Sequence, residues 1–482
     1  MNERRAAAER TFYFDDQRRF AAVSGDHNPV HLDAAVARRT QAGAPVVHGV
    51  HLLLWAMDTL AAAVGRPPPV RKLRVRFSKF VYVGETVDVQ LTDQTSRLAK
   101  LRMTVNGTPV AQIVIEFGEP SNLRDSTEGT LQLLTQPQTP REIAFEAIAN
   151  YSGRLPFATP PAQVAALFPA AAAWVGARRL AALIASTNLV GMVCPGLHSL
   201  FGALSVEMRA DSNPEDVLRF RVTSTDPRFR LVCIAITGGD LVGTIDSFAR
   251  LPPAPQATMT ALVGAVSPTE FVGSTVLVVG GSRGIGELTA KLVATGGART
   301  IITYQAGKAD AEKVACEIAA FGGVCELMAY DARLPAQPQL ANLANTPTHL
   351  YYFATPVISR RQSEMYTRPR LDEFLLLYVD GFRQLVQSLH GQRPNLSVFY
   401  PSSVFVDERP RGMTEYAMAK AAGEVLCNDM NDTLAPLRIS VRRLPRVATD
   451  QTATLTASDT CPALEAMLPC VCEVQSWPKA DA

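Results

Sequence analysis

Apolar and polar residues alternate in two distinct rhythms along this chain, and the change between them falls near residue 265. The strand-like TFYF (residues 11–14) leads into a polar stretch, SGDHNPVHLD, and then an apolar run from Val46 to Val64. That run is interrupted by His48, His51 and Asp58, which suits a buried helix better than a membrane span. Three strand-like runs follow, VRKLRVRF, ETVDVQLTD and LAKLRMTV. The Asn106-Gly107 pair then predicts a tight hairpin into PVAQIVIEF. One long helix followed by a run of antiparallel strands is an α+β pattern in which the sheet wraps the helix.

Residues 121–140, rich in Ser, Thr, Gln and Pro, read as a linker. The pattern then recurs. Residues 162–186 predict an Ala- and Leu-rich helix, and the segment from VEMRADS to DSFAR repeats the spacing of VRFSKF to VIEF. Gly238-Gly239 sits at the turn where Asn106-Gly107 sat. A repeat of this kind implies two copies of one fold packed together. LPPAPQ (residues 251–256) is a stiff, Pro-rich second linker.

From Ser274 onward, continuous apolar strands alternate with helices as far as about Val447. Such alternation specifies a doubly wound parallel sheet. The expected domains are therefore residues 1–120, 121–258 and 265–482.

Composition narrows the class. At 482 residues, 47% hydrophobic and 19% charged, the chain reads as a soluble globular protein of two or three domains. A formal net charge of +2 gives no electrostatic footprint for nucleic acid or for an acidic membrane. The polar start, MNERRAAAER, lacks the apolar core of a signal peptide, so a cytoplasmic location is expected. The eight cysteines are scattered. Cys461, Cys470 and Cys472 lack a fourth ligand, so reduced thiols and no metal centre are expected.

Two constellations carry chemistry. The first is FAAVSGDHNPVHLD followed by PVVHGVHLL. Asp26, Asn28, Pro29, His31 and Asp33, with His48-Gly49 further on, resemble the active-site region of MaoC-like (R)-specific enoyl-CoA hydratases, which have the hotdog fold. The resemblance spans roughly residues 10–118. It implies that Asp26 and His31 form the catalytic pair, that Asn28 supports them, and that the Gly49 N–H faces a thioester oxygen.

The chemistry is consistent with that. Hydrating an α,β-unsaturated thioester needs water deprotonated and a proton delivered to the adjacent carbon. A carboxylate and an imidazole sharing one water can divide those tasks. A backbone N–H at the start of an apolar helix is a preorganised donor for the enolate. Which of the pair is the formal base stays open, because the two would titrate together. The second repeat has no matching Asp and His, only His198 in NLVGMVCPGLHSLFG. It reads as a degenerate hotdog that shelters the acyl chain or its carrier.

The second constellation begins at GGSRGIG, after a predicted strand and opening a helix. Gly280, Gly284 and Gly286 have the spacing of a turn that lets a backbone approach a pyrophosphate at a helix N-terminus. Tyr416 and Lys420 share a helix face, and Ser403 lies at the end of strand LSVFYPSS. Together these are similar to short-chain dehydrogenases/reductases (SDRs). The resemblance implies a cofactor site formed by Gly280, Ser282, Arg283, Gly284, Ile285, Gly286, Asp331, Tyr416 and Lys420. It also implies Tyr416 as proton carrier, Lys420 lowering its pKa and holding the ribose, and Ser403 binding the substrate oxygen. RTIITYQAGK has no acidic residue at the strand end, and Arg283 is available for a 2′-phosphate. NADP(H) is therefore expected ahead of NAD(H).

Three departures from the SDR pattern stand out. Phe353-Ala354-Thr355-Pro356 replaces an Asn-Asn-Ala-Gly, the helix EFLLLYVDGFRQLVQSL contains no Asn, and Pro445-Arg446 replaces a Pro-Gly.

The expected fold is thus an α+β double hotdog followed by a Rossmann-type α/β domain. The expected function is bifunctional: a 2-enoyl-CoA or acyl-carrier-protein hydratase joined to a 3-hydroxyacyl/3-ketoacyl oxidoreductase. Two alternatives are a hydratase with a catalytically silent nucleotide-binding domain, and a ketoreductase using the hotdogs for docking or dimerisation. A homodimer or larger homo-oligomer is expected.

Overall fold

The structure is a computed structural model and describes residues 6–65, 67–120, 131–210, 215–341, 343–358, 366–450, 452 and 460–476. Residues 121–130 of the expected first linker lie outside the described residues. The chain divides into two compact units, one up to Pro252 and one from Pro253. No described helix is long and apolar enough to cross a membrane.

The first unit is built on one ten-stranded antiparallel sheet. Its strands are β1 (Ala6–Thr11), β2 (Val70–Phe77), β3 (Thr86–Gln94), β4 (Leu98–Val105), β5 (Thr108–Phe117), β6 (Ser152–Pro156), β7 (Ser199–Met208), β8 (Val217–Asp226), β9 (Leu231–Gly238) and β10 (Leu241–Ala249). They lie in the order β1-β3-β4-β5-β2-β7-β10-β9-β8-β6. Read outward from the β2–β7 seam, the two halves have the same order, so the sheet is two hotdog sheets joined edge to edge. At the seam β2 and β7 pair antiparallel from Lys72↔Glu207 to Arg76↔Ala203, with a Lys72–Glu207 ion pair of 2.9 Å across the first rung. Neither half therefore exposes its inner edge.

The sheet folds around two helices. Helix Gly49–Val64 is apolar on nearly every side; Val50 through Met57, Leu60 and Ala61 are all buried. Helix Ala177–Asn188 buries every residue from Leu180 onward and continues into a wider π-turn at Leu189–Val193. Alternation in strands such as Val70–Phe77 sends Leu73 and Val75 into this core, while Arg74 and Arg76 point outward. Asp58 accepts a hydrogen bond from the Ala171 N–H (2.9 Å), capping a helix of the second half from the first.

Three local expectations are corrected. Only Thr11 of TFYF is in a strand: Asp16 accepts a hydrogen bond from the Tyr13 N–H and the chain turns into helix Phe14–Ser24. The segment 162–186 is not one helix but pieces at Pro161–Leu167, Pro169–Val175 and Ala177–Asn188. Pro169 cannot continue a preceding helix, and Gly176 adopts φ +93°. The hairpin matching Asn106-Gly107 is Gly239-Asp240, one residue later than expected. There, φ is +54° and +63°, against +48° and +75° in the first half.

The second unit contains a six-stranded parallel sheet. Its strands are β11 (Thr275–Val279), β12 (Arg299–Tyr304), β13 (Val324–Ala329), β14 (His349–Tyr352), β15 (Ser397–Ser403) and β16 (Arg438–Leu444), in the order β13-β12-β11-β14-β15-β16. All five pairings are parallel. This is the 3-2-1-4-5-6 order of the Rossmann fold, whose topological switch point lies between β11 and β14. Helices pack both faces and enclose two apolar clusters.

Candidate active site

The first site is assembled where helix Phe14–Ser24 ends. Gly25 takes φ +71° and reverses the chain, and a Cβ there would lie 2.2 Å from Asn188 Nδ2. The turn carries Asp26 into the interior, where it is 1% exposed. Asp26 Oδ2 accepts a hydrogen bond from Thr187 Oγ1 (2.7 Å), and Oδ1 accepts one from the Asn28 N–H (3.2 Å). Burial raises the Asp26 pKa; the His31 charge and the Thr187 hydrogen bond oppose that rise.

Asn28 caps the short helix Pro29–Leu32 and donates Nδ2 toward the carbonyls of Gly191, Gly196 and Leu197 (2.9–3.3 Å). It thereby ties the Asp26 loop to the second half of the unit.

His31 is only half-buried. Its Nδ1 donates to the Val46 carbonyl (2.8 Å), which leaves an unprotonated Nε2. Burial lowers its pKa against the pull of Asp26. The His31 ring stacks on His48 with centroids 3.7 Å apart. His48 is fully buried, and its pKa is held well down by burial and then by His31. His48 Nδ1 lies 3.0 Å from Gln17 Oε1 and Nε2 lies 3.1 Å from the Asp26 carbonyl. Its main-chain N–H also donates to Gln17 (3.2 Å).

Donor atoms of Asp26, His31 and His48 lie within 4.8 Å of one another. Both His48 nitrogens already face oxygen partners, so the set suits a hydrogen-bonded acid–base cluster better than an ion. His51, one turn on, stacks on Phe20 at 4.5 Å and is pushed down by burial to about 3, so it is a neutral packing residue.

Gly49 is the first residue of its helix, so its N–H has no intrahelical acceptor. A Cβ at Gly49 would meet the Phe77 ring at 3.0 Å. Glycine leaves the ring and the amide side by side, and Phe77 in turn contacts Phe201 edge-on. The structure thus brings Asp26, Asn28 and His31 into one cluster with His48, whose next residue is Gly49. An ionisable carboxyl, a neutral imidazole with a lone pair and an orphan amide can activate water and bind an oxyanion.

The sequence reading missed the contribution of the second half. Thr187, Asn188 and Gly191 all touch the Gly25–Asp26 turn. A Cβ on Gly191 would lie 2.2 Å from Asp26 Oδ1. Their signal was spatial, because more than 160 residues separate Thr187 from Asp26. Gly191→Ala should therefore displace Asp26 while leaving the fold intact. Hydration is expected to fall roughly 10²-fold, with stability reduced by about 1–3 kcal/mol. Steady-state rates alongside a thermal melt check both; unchanged activity would mean that Asp26 is not held in this position. His198, the lone histidine of the second repeat, has Nε2 3.1 Å from Glu142 Oε1.

The second site lies at the carboxyl ends of β11, β14 and β15. Gly280 has φ +79° and Gly284 +60°, and a Cβ on Gly286 would lie 2.3 Å from the Gly280 carbonyl oxygen. Ser282 is buried; Arg283, Gly284 and Ile285 are partly open at the start of helix Gly284–Thr295. The Gly280 N–H donates to Thr303 Oγ1. A cradle that any side chain would fill, at a helix N-terminus, fits a nucleotide diphosphate. Two expected cofactor contacts are already engaged: Arg283 lies 3.7 Å from Asp450, and both Asp331 oxygens accept from Arg333.

Ser403 ends β15, where its Oγ accepts from the Phe405 N–H (3.2 Å), and Tyr416 lies on helix Thr414–Thr433. Burial raises the Tyr416 pKa, and Ser403 opposes the rise. Lys420 lies on the same helix as Tyr416. It is buried, donates Nζ to the Pro401 carbonyl (2.6 Å), and lies 3.8, 5.1 and 5.9 Å from the ring centres of Tyr378, Tyr400 and Tyr416. The ammonium thus sits among aromatic rings, and burial lowers the Lys420 pKa to about 7. Tyr378 lies in a π-turn (Leu376–Gly381) of the long helix that lacks Asn, and its hydroxyl meets Thr355 at 2.5 Å. Two of the departures from the SDR pattern are therefore in contact.

Residues 2–112 match the family model described as the MaoC like domain. An 81-residue stretch is 33% identical to the peroxisomal hydratase-dehydrogenase-epimerase of Saccharomyces cerevisiae, covering 17% of this chain and 9% of that protein. An 86-residue stretch is 33% identical to the peroxisomal multifunctional enzyme type 2 of Drosophila melanogaster, covering 17% and 14%. The chain thus spans a small fraction of the length of these curated relatives. Among solved structures, it is similar to a short chain dehydrogenase from Burkholderia cenocepacia J2315 in complex with NADP. That likeness has 22% identity and a TM-score of 0.37, over 43% of this chain and 94% of the other. It is also similar to a 3-oxoacyl (acyl-carrier-protein) reductase from Agrobacterium tumefaciens C58 with NADP bound. There the identity is 23% and the TM-score 0.35, over 38% and 73%.

Proposed function

We propose that this chain, a MaoC-like hotdog region joined to an SDR-type Rossmann domain, is a bifunctional acyl-thioester enzyme. It adds water to a 2-enoyl thioester and oxidises the resulting 3-hydroxyacyl thioester with NADP⁺, or runs both steps in reverse. One observation supports the reading: donor atoms of Asp26 and His31 lie within 4.8 Å of each other and of His48, the residue before Gly49 at the start of its helix. The combination of hydratase and dehydrogenase in the name of the yeast relative supports joining the two steps.

The hydration step follows from the chemical state of each group. His31 Nε2 and the Asp26 carboxylate hold the water, and the pair takes its proton as oxygen bonds to C3. The same pair delivers a proton to C2. Charge that develops on the thioester oxygen is met by the Gly49 N–H and the helix dipole. Asn28 and Thr187 fix the carboxylate, and His48 backs the imidazole.

In the second domain, Gly280, Ser282, Arg283, Gly284, Ile285 and Gly286 would hold the dinucleotide. When bound, NADP⁺ accepts the hydride. Ser403 orients the 3-hydroxyl, and Tyr416 takes its proton. The carrier is CoA or an acyl-carrier protein. The setting is fatty-acid-type metabolism in the cytoplasm, and the assembly is a homodimer or larger homo-oligomer.

Incubating the full chain with a 2-enoyl-CoA and NADP⁺ should generate NADPH, read as a rise in absorbance. No rise with NADP⁺ or NAD⁺, in the presence of confirmed hydration, would reject the coupled activity.

A further inference from the structure

Arg250 follows β10 and is 6% exposed. Its main-chain N–H donates to the His198 carbonyl (2.6 Å). Its Nε donates to the Ser199 carbonyl (3.4 Å) and its Nη2 to the Leu197 carbonyl (3.2 Å). The Leu197 carbonyl also accepts from Asn28 Nδ2 (3.3 Å), so the guanidinium and the Asp26–His31 loop share an acceptor. The charge is felt at His31, where it helps to keep the imidazole neutral. No carboxylate pairs with Arg250 among the described residues, and burial alone pulls its pKa to about 10.

A buried cation without a counter-ion is costly, and main-chain carbonyls repay only part of that cost. Nε–H and one Nη2–H are spent on the loop. The Nη1 hydrogens and the second Nη2 hydrogen remain, and side by side they form the fork that takes a planar carboxylate in two parallel hydrogen bonds. The anion that meets this fork must sit close to the reacting carbons. A CoA or carrier phosphate does not qualify, since the whole pantetheine arm separates it from the thioester. A carboxylate on the acyl chain does.

We propose that Arg250 is an anion subsite of the hydratase pocket and that the preferred acyl group carries a second, free carboxylate. This rests on the hydratase reading. It narrows the substrate to monothioesters of short unsaturated dicarboxylic acids. The carboxylate seats on Arg250, and the double bond lies over Asp26 and His31.

Binding of unreactive saturated analogues separates this inference from the reading beneath it. Succinyl-CoA and butyryl-CoA have acyl chains of equal length and differ at the far end by a carboxylate against a methyl. Calorimetric titration of the full chain should show succinyl-CoA binding about tenfold to a hundredfold tighter, the range of a hydrogen bond to a charged group. Arg250→Gln should erase that difference and leave butyryl-CoA affinity unchanged; Arg250→Lys should restore part of it. Equal affinities in the unaltered protein overturn the proposal without recourse to any variant, as does failure of both to bind. Equal weakening of both ligands in Arg250→Gln also overturns it, since that is the result of a residue that only supports the Leu197–Ser199 loop. Hydration of crotonyl-CoA and of its carboxylated counterpart, fumaryl-CoA, by the unaltered protein is read in parallel. Absence of both activities sinks the hydratase reading without touching the binding preference, and hydration with equal affinities sinks the subsite alone.

Discussion

Replacing Asp26 with Asn should lower the rate of 2-enoyl-thioester hydration by about 10²–10⁴-fold, the usual contribution of a positioned acid–base group. The amide has nearly the same shape, and its oxygen can still accept from Thr187, so melting behaviour should change little by comparison. What is lost is the charge that shares the water with His31. NADP⁺-dependent oxidation of a supplied 3-hydroxyacyl thioester should be unaffected, which separates this outcome from general unfolding.

The pH profile provides a second check on the same residue. Burial favours the neutral carboxyl and raises the Asp26 pKa, whereas hydration needs the carboxylate. Activity is therefore expected to fall as pH drops through the raised value, above the range of an ordinary exposed carboxylate. His31, whose pKa is lowered, stays neutral further toward acid than an ordinary imidazole. An acid limb at an ordinary Asp value would contradict the buried placement.

Tyr416→Phe should abolish NADPH production, again by about 10²–10⁴-fold, with hydration intact. In the proposed reaction the Tyr416 hydroxyl is the group that accepts the 3-hydroxyl proton. Burial raises the Tyr416 pKa against the opposing effect of Ser403. Oxidation by the unaltered protein should therefore speed up as pH rises through neutrality into the alkaline range, because the tyrosinate is the base. Equal NADPH rates for Tyr416→Phe and the unaltered protein would remove Tyr416 from the role of base, and no NADPH from either would leave the Rossmann domain with nucleotide binding alone.

Much of this was legible in the chain because local rules carried it. The strands from Val70 to Phe117 alternate cleanly, and Asn106-Gly107 fixes their hairpin. The run from Thr275 through Gly286 is read from one strand, one turn and one helix. The single-helix reading of 162–186 failed because apolar content outweighed the breaks at Pro169 and Gly176. The TFYF reading failed because β-prone side chains masked the helix start set by Asp16.

The sites were harder for a different reason. Thr187, Gly191 and Arg250 are a hydroxyl, a glycine and an arginine in otherwise ordinary stretches, and nothing in their neighbours marks them. Only the joining of the two halves in one sheet brings them to Asp26, Asn28 and His31. Lys420 shows the converse. Its spacing from Tyr416 matches the pattern, but the tyrosines that capture its ammonium come from other elements.

The seam between β2 and β7 has an arithmetic consequence. Two identical lobes would each have to supply both the reactive pair and the groups that brace it, and would yield two equivalent centres. Covalent joining frees the lobes to diverge, so that one keeps the reactive pair and the other keeps the brace. Each polypeptide should then bind a single equivalent of acyl ligand in its hydrating half. The lobe ending before residue 121, expressed by itself, would present β2 as a bare margin prone to self-association.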